Sequence, residues 1–189
     1  MYYVKAVVKG IAPVCFNRHA EGLQEKIEAG ITGGVHTKAS AEAEAAERIY
    51  SNGNGVYLPS EWFKSAMLQG AQMANLKQGR RGFFSYLKGG GFFVDREIAT
   101  GHAGQEFMRE RWGRIPPGPK GKLVWLRNPG LNAGWEVTFR LLVVDDGIPD
   151  QSVKAALDTA GLMVGVGNGR PDFGRFIVTS WERTATEPS

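Results

Sequence analysis

The sequence predicts a single α+β domain over residues 1–189, an antiparallel sheet with helices on one face and a long glycine-rich insertion at 77–133. Three observations lead there. Segments of strand character open and close the chain, helical periodicities lie between them, and residues 77–133 break every regular pattern with glycine and proline.

Tyr2–Val8 reads as the first strand, with Lys5 and Lys9 at exposed points and Gly10 and Pro13 ending it. Between residues 17 and 38, Gly30, Gly33 and Gly34 leave room only for a short helix over Leu23–Glu28 and a mobile loop. The alanine- and glutamate-rich run Ser40–Tyr50 reads as a helix with Ser40 as its N-cap. Asn52-Gly53-Asn54-Gly55 is a turn leading into a short strand, Val56–Leu58, that Pro59 terminates. Ser60 then caps a helix in which Trp62, Phe63, Ala66, Met67 and Gly70 form an apolar stripe reaching about Leu76.

Beyond the insertion, Trp135, Val137, Phe139, Leu141 and Val143 alternate onto one face of a long strand that Asp145-Asp146-Gly147 ends. Pro149 stands near the start of the next helix, whose Val153, Ala156, Leu157 and Ala160 face inward and whose Gly161 is the expected cap. Phe173–Trp181 is the last strand. Taken together, the element order is that of a ferredoxin-like split βαβ arrangement.

With 42% hydrophobic and 22% charged residues the chain has the composition of a folded protein, and 26 glycines are its main departure from average. No apolar run reaches the roughly 18 residues that span a bilayer, and the N-terminus lacks a basic region followed by a long apolar core. Cys15, the single cysteine, can form no internal disulfide and reads as a small buried hydrophobe in a reducing compartment. These features imply a cytoplasmic protein with no membrane partner and no cofactor.

Charge is concentrated in the insertion. Lys77, Arg80, Arg81, Lys88, Arg96, Arg109, Arg111, Arg114, Lys120, Lys122 and Arg127 oppose only Asp95, Glu97, Glu106 and Glu110, a surplus of seven, so the rest of a chain of net charge +4 is acidic. Phe83, Phe84, Tyr86, Phe92, Phe93, Phe107, Trp112 and Trp125 are interleaved with these cations. Cations for phosphates and rings for bases is the pattern of single-strand recognition; the same rings can instead anchor the segment to the body of the domain.

A second constellation runs from Gly161 to Phe176, with Gly165, Gly167, Gly169 and Gly174 around Arg170, Phe173 and Arg175. Here backbone can approach a phosphodiester chain closely while the arginines bind phosphate, although a structural turn has the same composition. It is no Walker loop, because no Gly-Lys-Ser/Thr follows. Catalytic signals are weak: His19 and His102 can serve as acid or base in RNA cleavage, but His19, His36 and His102 are not in metal-ligand spacing.

Gly165-Val166-Gly167 through Phe173-Gly174-Arg175-Phe176 resembles the C-terminal glycine-rich loop of the RAMP superfamily, which includes RNA-binding backbone subunits and nucleases of CRISPR effector complexes. Val56–Ala66, where a strand ends at proline and a serine- and lysine-containing helix begins, and the first strand ending near Gly10 resemble the same family. The Gly-x-Arg-Pro-x-Phe-Gly-Arg-Phe ending is also similar to that of phage and prophage proteins. The resemblance implies an RRM-like ferredoxin fold, with 77–133 in the position of a thumb-like hairpin. It departs from the family at Pro59-Ser60-Glu61-Trp62, where backbone subunits favour Pro-Gly-Ser-Ser, and no cleavage aspartate follows the first strand.

The expected function is therefore non-catalytic binding of single-stranded RNA or DNA, with side-by-side homo-oligomers or filaments along the strand. Lys64, Arg170 and Arg175 contact the sugar-phosphate chain, Phe83, Phe84 or Phe92 stack bases, and Arg80, Arg81, Lys88, Arg109, Arg111, Arg114, Lys120 and Lys122 add charge. The alternatives are a metal-independent endoribonuclease and a phage structural or assembly protein.

Overall fold

The computed structural model describes residues 1–18, 47–78, 81–115 and 122–188. The expected helix at Leu23–Glu28 and all but the end of that at Ser40–Tyr50 lie outside them, as does His19.

The main sheet has four antiparallel strands, β1 (Tyr2–Gly10), β7 (Gly91–Phe93), β11 (Glu136–Val143) and β12 (Phe176–Thr184), in the spatial order β12-β1-β11-β7. Register places Val4 opposite Leu141, Ala6 opposite Phe139 and Val8 opposite Val137. These alternate residues form one buried face, as the period of two requires. Trp135, just before β11, is buried too, its indole N–H donating to the Ala12 carbonyl at 2.9 Å.

Helices α1 (Ser60–Met73) and α3 (Asp150–Thr159) cover that face. The α1 stripe is Phe63, Ala66, Met67, Gly70 and Ala71, with the Phe63 ring 5.1 Å from Phe139 and 5.5 Å from Phe176. Val153, Ala156 and Leu157 complete it from α3. The two helices touch where α1 has only Gly70, since a Cβ there would overlap the Ala156 carbonyl. Two expected caps turn out otherwise. Ser60 is the buried first residue of α1, with Pro59 as N-cap and no side-chain cap. Gly161 does not end α3: the backbone continues as a π-turn over Ala160–Val164 and stops at Gly165, φ 75°. Gly161 is glycine because the Phe176 carbonyl lies where its Cβ would be.

The segment 77–133 does more than insert. It holds β5 (Lys77–Gln78), β6 (Arg81–Gly82), α2 (Phe83–Gly90), the edge strand β7, β8 (Glu97–Ala99), and two long strands, β9 (Phe107–Ile115) and β10 (Lys122–Leu131). Smaller ladders join β2 (Val14–Cys15) to β10 and β9, and β3 (Ser51–Asn52) to β4 (Gly55–Pro59) and β8. Among the described residues no helix is long and apolar enough to cross a membrane.

Candidate nucleic-acid interface

β9 and β10 form a hairpin of nine opposed pairs, from Phe107↔Gly130 to Ile115↔Lys122. Its base is built into the domain, because Gly130 and Leu131 also pair with Cys15 and Val14 of β2. Cys15 bridges in turn to Asn168, whose N–H donates to the Cys15 carbonyl at 2.8 Å. One continuous set of backbone contacts therefore links hairpin, β2 and the glycine-rich loop.

That loop needs its glycines for two physical reasons. Gly165, Gly167, Gly169 and Gly174 have φ of 75°, 77°, 86° and 74°, where a side chain is strained. At Gly174 a Cβ would also overlap the Val166 carbonyl, across a turn closed by Val166 N–H to Gly174 O at 3.0 Å and Gly174 N–H to Pro13 O at 2.7 Å.

Arg109 is where hairpin and loop meet through side chains. Its guanidinium lies 4.2 Å from the centre of the Phe173 ring and occupies the space a Gly169 side chain would take. Its Nη1 is buried without a hydrogen-bond partner. The neighbouring Cys15 thiol is pushed up to about 11 by burial, against the downward pull of Arg109 and, more weakly, Arg111. Arg111, Arg170 and Arg175 are exposed, and among the described residues no carboxylate lies within ion-pair distance of them. By contrast Arg127 pairs with Glu110 at 2.9 Å.

Pairs directly opposite share a face, so Trp112 and Trp125 stand on the side of the hairpin away from Arg109. Their rings meet edge to face at 4.9 Å and are 62% and 42% exposed, with Leu123 exposed beside them. Burying large rings is the usual outcome, so an open pair of this size stands out among the described residues.

The open face of the main sheet is balanced instead. Lys5 is opposite Glu182, Lys9 opposite Glu136, and Arg140 holds Asp95 at 2.6 Å and Glu187 at 3.0 Å. Burial raises the Asp95 carboxyl, but the Arg140 hydrogen bonds outweigh it and hold the group below the usual carboxylate range.

A chain of the Type III-B Cmr-beta complex bound to cognate target RNA, determined by cryo-EM, shares this fold. The TM-score is 0.55 at 11% sequence identity, over 97% of the present chain and 61% of that one, so the present chain spans under two thirds of its length. No protein-family model matches the sequence, and no curated protein matches it.

The residues singled out by sequence divide into two groups. Arg109, Arg111, Gly165, Gly167, Arg170, Phe173 and Arg175 belong to the connected hairpin and loop. Lys64, Phe84 and Lys88 do not: with Glu61, Ser65, Leu68 and Gln69 they line an open groove of about 520 Å³ between α1 and α2. Lys64 donates to the Gly91 carbonyl at 3.1 Å, whereas Trp62, about 200° around the helix from it, packs toward Gly167. Phe83, expected to stack bases, is 0% exposed and anchors α2 in the core.

Arg80 and Lys120 lie outside the described residues, and of Arg81, Phe92, Arg114 and Lys122 only the backbone is described. His102 is partly exposed, 3.5 Å from Glu106. Sequence reasoning passed over the Trp112–Trp125 pair as a site. The signal is in the sequence, since the two stand equally far from the Pro-Pro-Gly-Pro-Lys-Gly run.

Proposed function

We propose that this chain is a RAMP-type protein that binds single-stranded RNA without cleaving it, across the glycine-rich loop and the β9–β10 hairpin. The observation that carries the reading is the ladder from hairpin through β2 to Asn168, which joins exposed arginines and exposed rings in one substructure. Strand order β12-β1-β11-β7, with α1 and α3 on one face, supports a ferredoxin-like topology. Likeness to a chain of an RNA-bound complex supports RNA as the ligand. Such a protein works in the cytoplasm, and side-by-side copies along a strand fit the resemblance.

In this reading Arg111, Arg170 and Arg175 contact phosphates and loop backbone approaches the sugar-phosphate chain on one face of the hairpin, and a strand that wraps its edge stacks a base on Trp112 or Trp125 of the opposite face. Three phosphate contacts give a salt slope of about −2, so affinity falls roughly 16-fold between about 50 and about 200 mM salt. A fluorescent single-stranded RNA oligomer titrated at both concentrations tests this, with a DNA oligomer beside it. Trp112→Ala should weaken binding by about 1–3 kcal/mol while costing about 0.5–1.5 kcal/mol of stability, the worth of its edge-to-face contact with Trp125. Absence of binding at the lower salt would end the proposal.

A further inference from the structure

We propose that Arg109 is a positioning residue, which locks the hairpin to the glycine-rich loop so that the two engage an RNA strand as one unit; this rests on the function proposed above. The lock stands between the two sets of free cations. Arg111 follows it by two residues on the same face of β9, and Arg170 adjoins Gly169, against which the guanidinium packs. A hairpin tied to the body at its base through Gly130↔Cys15 and Leu131↔Val14 can pivot about those rungs. Arg109 sits on the third rung from that base, opposite Asn128. Asn128 is 1% exposed and donates to the Phe16 carbonyl at 3.0 Å and to Asn17 Oδ1 at 3.3 Å, so this rung is held from both strands.

The chemistry at Arg109 is unlike that of an ordinary surface arginine. The cation is stacked on Phe173, no carboxylate within ion-pair distance neutralises it among the described residues, and Nη1 is buried without a hydrogen bond, although the guanidinium also reaches the Cys15 thiol. An apolar side chain would fill that space without the cost of an unsatisfied donor. What the guanidinium adds is a planar cation that grips the Phe173 ring, and it fits only because residue 169 has no side chain. Since Nη1 is covered by the loop, Arg109 holds the two elements together and exposed Arg111, Arg170 and Arg175 contact the phosphates.

Cys15 supplies a reporter independent of RNA, as the only cysteine in the chain and a buried one in the electrostatic reach of Arg109. The experiment compares wild type, R109M, R109K, F173L and R111A in RNA titrations over a range of salt and, without RNA, in the rate of Cys15 modification by a thiol reagent. Circular dichroism verifies that each variant folds. R109M and F173L are expected to weaken RNA binding about tenfold with the salt slope unchanged, F173L, which keeps the cation beside Cys15, to speed Cys15 modification, and R109K to restore most of the binding. R111A is expected to lower the slope by about 0.7 and leave the thiol rate alone. A slope lowered in R109M would overturn the proposal by showing Arg109 on a phosphate, as would wild-type affinity in R109M. Should wild type bind no RNA, the functional reading fails separately, and equal thiol rates in wild type and F173L, which keeps the cation beside Cys15, would then refute the lock itself.

Discussion

Gly174 and Gly169 both have positive φ in the same loop, yet alanine at the two should do very different things. At Gly174 the added Cβ meets the Val166 carbonyl, which is backbone and cannot rotate aside. Gly174→Ala therefore incurs the left-handed penalty of about 1–2 kcal/mol. It also loses the Val166 N–H to Gly174 O and Gly174 N–H to Pro13 O bonds, at about 1 kcal/mol each. The total is about 3–4 kcal/mol, a large share of the roughly 5–15 kcal/mol that holds a domain folded. At Gly169 the Cβ meets side chains alone, the end of Arg109, which can swing into solvent, and more loosely the Phe173 ring at 3.1 Å, and the Phe173 N–H to Gly169 O bond of 3.2 Å survives. Gly169→Ala should then cost about 1–2 kcal/mol and release Arg109 from Phe173. With a urea m-value of about 2 kcal/mol/M, the midpoint falls by about 1.5–2 M for Gly174→Ala and by about 0.5–1 M for Gly169→Ala. Equilibrium unfolding in urea, followed by circular dichroism, measures both. A Gly174 variant no less stable than the Gly169 variant would refute the claim that backbone approach, and not φ alone, requires glycine at position 174.

Asp95→Asn should destabilise the protein by about 1–2 kcal/mol at pH 7, because it removes the charged acceptor of the Arg140 fork. The Asp95 carboxyl is held below its ordinary value, so its contribution is full above the ordinary carboxylate range near pH 4 and is lost as pH falls through the folded value. The difference between variant and wild type should accordingly shrink in acid; a gap independent of pH down to acid unfolding would contradict it. Cys15 works at the other end of the scale: its thiol holds its proton more tightly folded, about 11 against 9.0, so stability is whole below pH 9 and falls as pH rises toward 11. Cys15→Ala should flatten that alkaline decline by roughly 1–3 kcal/mol, as read from urea midpoints at pH 8 and above, and an unchanged slope would argue against a buried thiol.

Strands and helices whose faces repeat at period two or 3.6 were legible residue by residue: β1, β11, and the inner stripes of α1 and α3 all lie as their apolar spacing implies. What escaped reading was set by contacts between distant segments. Gly161 has the composition of a helix cap, and only the Phe176 carbonyl fifteen residues on explains why it is glycine. Phe83 and Trp112 are both rings in a basic, glycine-broken stretch, and nothing local distinguishes the one buried under α2 from the one left open on the hairpin. β7 escaped because three residues, Gly91–Phe93, carry no periodicity and are recruited by pairing with β11. The candidate site follows the same division. Its residue types, arginines near glycines, were readable, but Lys64 and Arg170 were grouped on composition, and the helix geometry that turns Trp62 toward Gly167 must turn Lys64 away. Local sequence thus names the ingredients of the proposed interface, whereas the long-range ladder from Gly130 through Cys15 to Asn168 decides which of them belong to one substructure.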